Sequence, residues 1–261
     1  GLRPVLNVPY NHMLPNNLYW HLIALGILLG ILGRLYQVII LHLNGWMARI
    51  PKLSPIVYPI IPFLLVIPIA WYFPITLGGG NELIIILRSL PFSLALFVGL
   101  FVLRFVFSMI SYGSQLPGGI FLPILTLGAI LGAVYCALMV RLGLMPVRYL
   151  PNFIIYGMAG YFACISKAPF TAMVGSLAHL MPLALVAVVA YLVVDALHGE
   201  PVYTAMFNAF IGNNPQPARH KEDVTMSITI YAGARLDGCK IKDFPWPIDC
   251  IVMVIYRGEE K

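Results

Sequence analysis

Residues Gly118 to Gly132 read Gly-Gly-Ile-Phe-Leu-Pro-Ile-Leu-Thr-Leu-Gly-Ala-Ile-Leu-Gly, a pair of glycines running straight into an apolar helical pattern. Gly118 and Gly119 leave backbone N–H groups unscreened by side chains. Pro123 suits the first turn of the helix, where its missing N–H would have had no intrahelical partner. Free N–H groups and the positive end of the helix dipole then meet at one point. Inside a membrane this makes an anion site without any full positive charge, and an ion held by partial charges can leave again. Taken singly, each residue has a plainer explanation: Gly118 and Gly119 as a turn, Phe121 as packing. Their combination points to part of an anion pathway.

Other chemistry-bearing residues carry less. Glu82 and Glu200 adjoin glycine-rich turns and are candidate proton carriers, although loop carboxylates are generally solvated. Asp195 closes an apolar run, with His198 and Glu200 just beyond it, which puts it at the membrane surface. Arg104, within another apolar run, either snorkels or faces the interior. His179 reads as a helix-end residue. The six histidines show no metal-ligand spacing, and the four cysteines show no C-x-x-C. No metal site and no cofactor is expected.

The elements that must position the site are membrane helices. The chain is 60% hydrophobic and only 10% charged, with a mean hydropathy of +0.88, where a soluble domain carries about 25% charged residues. The apolar stretches Leu18–Leu43, Ile56–Phe73, Pro91–Ile110, Phe121–Val140 and Met181–Leu197 approach or exceed the roughly 17 to 25 residues of a spanning helix. Asn152–Cys164 is shorter and reads as a partial or re-entrant span. Prolines at 51, 55, 59, 62 and 68, followed by Gly78-Gly79-Gly80, predict broken helices of the kind that line a cavity. All of the +6 net charge belongs to residues 1–210, where nine Lys and Arg face three acidic residues; residues 211–261 carry seven of each. The basic excess lies chiefly in loops and implies contact with the lipid bilayer. No basic run marks nucleic-acid binding.

The chain divides into residues 1–210, a linker at 211–219 rich in Asn, Gly and Pro, and a polar tail at 220–261. In the tail, Thr225–Tyr231 and Cys250–Tyr256 alternate in the manner of short strands. The fold class is therefore an all-α polytopic membrane protein with a small α/β or β-rich tail domain.

Several ordered motifs carry a family resemblance. Ser114-Gln-Leu-Pro-Gly-Gly-Ile-Phe-Leu-Pro123 resembles the G-x-F-x-P signature of the CLC chloride channels and chloride/proton antiporters. Gly78-Gly79-Gly80-Asn81 is similar to the glycine turn ahead of that signature. Gly157-Met-Ala-Gly160 with Lys167-Ala-Pro-Phe-Thr171 resembles the following helix-loop-helix. Gly199-Glu-Pro-Val-Tyr203 looks like the segment bearing the anion-contacting tyrosine. The resemblance implies chloride as the transported ligand, held by the backbone N–H groups of Ile120 and Phe121, next to Gly119, and by the hydroxyl of Tyr203. Gly118 and Pro123 support the pore. Tyrosine offers one neutral donor on a rigid ring, which binds chloride without trapping it. The resemblance further implies a homodimer, with Leu18–Leu43 and Met181–Leu197 as candidate interface helices.

The sequence also departs from the family pattern. It is similar to the second of two inverted repeats only, and the serine loop and gating-glutamate loop of the first repeat are absent. It lacks an initiator Met, so a fragment, a processed product or an incompletely represented protein is expected. About 12 residues separate Pro169 from Pro182, roughly 18 Å of helix, which is too short to span; a missing piece near Val174-Gly175 is the expectation. The tail, in Met226–Ile230, Leu236–Ile241 and Cys250–Gly258, resembles the start of a TrkA-C type domain. That implies a cytoplasmic C-terminus, a bacterial inner membrane and a role in dimerisation or in sensing a nucleotide or ion; a small β-rich tail with no ligand is the equal alternative. Channel and proton-coupled exchanger both stay open. The alternatives are a potassium-transport component, which would need a carbonyl filter such as T-V-G-Y-G that this sequence lacks, and a CLC-type fluoride exporter. An intramembrane enzyme is not expected, because Asp195 is the sole aspartate among the apolar segments.

Overall fold

The computed structural model describes residues 13–48, 60–114, 118–168, 180–206 and 229–231. Internal contacts divide the chain into Gly1–Asn214 and Pro215–Lys261. Of the second unit only 229–231 are described, and they carry no strand pairing. The expected linker, most of the expected strands, His179 and the Val174-Gly175 junction lie outside the described residues.

The first unit is built of helices. They are α1 (Trp20–Ala48), α2 (Ile60–Tyr72), a short α3 (Asn81–Ile86), α4 (Leu94–Gly113), α5 (Phe121–Arg141), α6 (Leu150–Ser166) and α7 (Leu180–Ala196). Among the described residues, Asn16–Leu43, Leu94–Gly113 and Phe121–Arg141 are long and apolar enough to cross a membrane. The described part of α2 is 13 residues long. It carries Pro68 internally and stops ahead of a single 3-10 turn opened by Pro74, since proline removes an N–H and crowds the preceding turn.

α6 is longer than the stretch 152–164 read from the sequence. It is a 17-residue helix, roughly 25 Å long, and it forms the centre of the bundle, packed against α5, α1 and α7. Two residues make the difference. Pro151 occupies the first turn, where it is tolerated. Asn152, polar and buried, has its amide 3.4 Å from the Tyr156 hydroxyl. At the other end Lys167 turns the chain in the left-handed region, with φ 54°. The Gln37 amide of α1 donates to the Cys164 and Ile165 carbonyls at 3.3 and 3.2 Å, satisfying acceptors that a helix end leaves free.

Small residues set the helix spacing. A β-carbon at Gly132 would overlap the Phe153 carbonyl, and one at Gly157 would overlap the Gly128 carbonyl, so α5 and α6 meet backbone to backbone. On α1, Gly26, Gly30 and Gly33 share one stripe and receive Val189, Val193 and Cys164. With lipid outside, no hydrophobic drive brings helices together, and close van der Waals approach over small residues takes its place.

Candidate functional site

The start of α5 is the centre of the candidate site. Ile120 is the N-cap residue and is buried, Phe121 is the first helical residue, and no side chain caps the helix. The first intrahelical bond runs from Ile124 N–H to the Ile120 carbonyl at 3.1 Å. Geometry therefore leaves the N–H groups of Phe121 and Leu122 without an intrahelical acceptor. Pro123 falls at the third helical position, where its lack of a donor costs nothing. No acidic side chain stands in the first turn to compete with an external anion. Gly118 and Gly119 precede it, exposed, with open space where a β-carbon would stand. Phe121 is half-exposed and packs edge-on against Phe162 of α6, ring centres 5.2 Å apart.

The glycine turn ahead of α3 holds this end of α5 from behind. Gly78 and Gly80 take φ of 64° and 97°, backbone that L side chains rarely adopt. The turn lies so close to α5 that a β-carbon at Gly79 would strike Leu122, and one at Gly80 would strike Thr126. The Thr126 hydroxyl lies 3.1 Å from the Gly79 carbonyl and 2.9 Å from the Leu122 carbonyl, shared between the two. Arg104 of α4 faces the interior and does not snorkel: it is 2% exposed. Its guanidinium donates to the Thr76 carbonyl at 2.5 Å and the Gly78 carbonyl at 2.6 Å. Both partners are neutral, so a full positive charge stands behind the turn.

Tyrosines gather on the open side. The Tyr112 hydroxyl, at the end of α4, donates to the Gly119 carbonyl at 3.3 Å. Tyr203 sits on the helical turn 202–206, half-exposed, after Pro201, whose carbonyl accepts from Ala205 N–H at 3.0 Å. Its hydroxyl lies within electrostatic reach of Tyr112 and of Tyr36 on α1. Tyr203 thus lies within electrostatic reach of Tyr112, whose hydroxyl bonds to Gly119.

The remaining candidates are elsewhere. Glu82 and Glu200 are exposed. Asp195 is exposed at the end of α7 and forms an ion pair with Lys167 at 2.7 Å. Among the described residues no three His, Cys, Asp or Glu side chains gather. Sequence reasoning passed over Thr126, Tyr112 and Tyr36. Thr126 had a signal, lying one turn beyond Pro123 on the same apolar helix; the two tyrosines had none, because only folding brings α1 and α4 together.

Residues 1–195 match the family model described as voltage gated chloride channel. The H(+)/Cl(-) exchange transporter ClcA of Klebsiella pneumoniae subsp. pneumoniae is 30% identical over 204 residues, covering 74% of this chain and 43% of the relative. The crystal structure of a slow cyanobacterial Cl-/H+ antiporter superposes with a TM-score of 0.70 at 26% identity, over 83% of this chain and 52% of that one. The chain spans about half the length of these relatives. A match over three quarters of its residues, the same nearly all-helical fold and helices of membrane-spanning length together mean that the chain belongs to the voltage gated chloride channel (CLC) family of integral membrane proteins.

Proposed function

We propose that the chain forms part of a chloride pathway, with chloride held by the N–H groups of Ile120 and Phe121, beside Gly119, and by the hydroxyl of Tyr203. Gly118 keeps the approach clear, and Pro123 sits in the first turn, where an N–H has no intrahelical acceptor. The observation that carries this reading is the uncapped start of α5, opening beside exposed Gly118 and Gly119. Tyr203 lies within electrostatic reach of the tyrosine bonded to Gly119. Every donor that would touch the ion is neutral, with the Arg104 charge held behind the turn, so the ion can leave.

Chloride/proton exchange is the transport mode we favour, because both relatives are named as exchangers of these two ions. The chain then acts as the second of two inverted repeats, in a homodimer with the outer faces of α1 and α7 as candidate contacts. It would lie in a bacterial inner membrane with a cytoplasmic C-terminus. Residues 220–261 would be a TrkA-C-like module taking a nucleotide or ion. The protein is a transporter and not an enzyme in this reading.

Two measurements on the full-length protein test it. In liposomes, a chloride gradient that drives protons uphill supports exchange; chloride flux without proton movement overturns exchange in favour of a passive channel. By calorimetry, Tyr203→Phe is expected to weaken chloride binding with the fold intact. Unchanged affinity would count against the site assignment.

A further inference from the structure

We infer that Tyr112 is a positioning residue for the proposed anion site: its hydroxyl fixes the direction in which the Ile120 N–H points. The inference rests on the anion reading above. Tyr112 lies in the last turn of α4, and its hydroxyl donates to the Gly119 carbonyl at 3.3 Å. That carbonyl and the Ile120 N–H belong to one peptide unit. The unit is planar and trans, so its C=O and N–H point in opposite directions. Holding the carbonyl towards Tyr112 therefore turns the N–H away from it. Among the described residues no backbone carbonyl accepts from that N–H.

Local sequence explains why such a hold is needed. Gly118 and Gly119 keep the approach open, with open space where β-carbons would stand, but a residue without a β-carbon also leaves its peptide free to swing. Ile120 caps α5 with no side-chain bond of its own. A helix N-terminus holds an anion well only when its donors are already aimed, because ordering them during binding costs free energy. Tyr112 is itself held. The Tyr36 hydroxyl is its side-chain hydrogen-bond partner. Tyr36 is fully buried on α1, with its ring edge-on to Phe105 and Tyr161, centroids 6.1 Å away in each case. A Tyr36 hydroxyl that donates to the Tyr112 oxygen leaves the Tyr112 proton for Gly119, and each bond of such a chain polarises the next. The relay Tyr36–Tyr112–Gly119 thus runs from the packed interior to the peptide just ahead of α5.

Calorimetric chloride titration of the full-length protein carrying Tyr112→Phe, which keeps the ring and removes the hydroxyl, tests this. Affinity is expected to fall about two- to tenfold, the ratio given by one neutral hydrogen bond of ordinary strength. A backbone variant separates positioning from direct contact: an ester in place of the Gly119–Ile120 amide, introduced with the hydroxy-acid analogue of isoleucine, deletes the N–H itself. In that ester protein Tyr112→Phe should lower affinity no further, since both changes act through one donor. Tyr36→Phe should weaken binding by a smaller factor, and not at all in the Tyr112→Phe background. Thermal unfolding in chloride-free buffer checks that each variant is folded, and a loss of stability alone would not produce this non-additive pattern. Wild-type chloride affinity in Tyr112→Phe would overturn the inference and leave the anion reading standing. Losses that add between Tyr112→Phe and the ester would also overturn it, because the hydroxyl would then touch the ion directly. Wild-type affinity in the ester protein would overturn the assignment of Ile120 as an anion donor, and the inference with it.

Discussion

The Thr126 hydroxyl and the Gly79 carbonyl lie 3.1 Å apart, joining the second turn of α5 to the glycine turn before α3. This contact ties the helix that carries the proposed anion-binding N–H groups to a piece of backbone held in the left-handed region at Gly78 and Gly80. The position of Ile120 and Phe121 thus depends on residues outside the proposed anion site. A helix N-terminus offers useful donors only when its direction is fixed.

Thr126→Val keeps the side-chain shape and removes the hydroxyl. One hydrogen bond of ordinary strength is lost and the Gly79 carbonyl is left without its donor, a cost of about 1 kcal/mol. Thermal unfolding in detergent should register that loss. Chloride affinity should fall by less than about tenfold, since the donors themselves remain. A variant with wild-type stability would show that the contact does not hold the turn.

Arg104 is the stronger tie. Its guanidinium satisfies the Thr76 and Gly78 carbonyls from a buried position, and bonds from a charged donor are worth roughly 1.5–3 kcal/mol each. Arg104→Met should therefore destabilise the protein by at least about 2 kcal/mol. Arg104→Lys should recover only part of this, because a point-like ammonium cannot span two carbonyls as a planar fork does. Full rescue by lysine would mean that charge alone matters at this position.

Lys167 carries two opposed effects. It closes α6 in the left-handed region, which costs a residue with a β-carbon about 1–2 kcal/mol relative to glycine. Against this stand the pair with exposed Asp195, worth about 0–1 kcal/mol, and the approach of its ammonium to the Tyr191 ring at 5.8 Å, worth about 0.5–1 kcal/mol. Lys167→Gly should consequently change stability by less than about 1 kcal/mol, whereas Asp195→Asn alone should lower it slightly. A large loss in Lys167→Gly, measured by denaturation, would assign Lys167 a role beyond closing the helix.

The local parts of this structure were legible because their causes are local. Two glycines before an apolar run, with Pro123 at a permitted position, specify where α5 begins. Gly78-Gly79-Gly80 marks the turn ahead of α3, whereas Pro62 and Pro68 of the proline cluster lie within α2. The depth of α6 was not legible: Pro151 and Asn152 shorten its apolar run on paper, yet one fits a first turn and the other is buried near Tyr156. The tyrosine cluster was invisible for another reason. Tyr36, Tyr112 and Tyr203 lie on three separate elements, and no periodicity along a chain relates residues that only tertiary packing brings together. The anion-facing role proposed for Tyr203 rests on resemblance rather than on pattern.

The glycines of α5 and α6 had a spacing that could have been used, and they support the sharpest test of the packing. Gly128 and Gly132 on α5 are four residues apart and face Gly157 on α6, with backbone carbonyls filling the space of the missing side chains. Backbone cannot step aside as a flexible side chain can, so Gly132→Ala or Gly157→Ala must push the helices apart. Overpacking of this kind costs about 1–3 kcal/mol and more where nothing yields. Gly99 on α4 is the contrast, since a β-carbon there meets open space. Gly99→Ala should be tolerated, or should stabilise by up to about 1 kcal/mol through helix propensity. Thermal unfolding of the three variants should separate them in this order. Equal stabilities would mean that α5 and α6 do not approach so closely, and the Phe121–Phe162 contact beside the anion site would lose its basis as well.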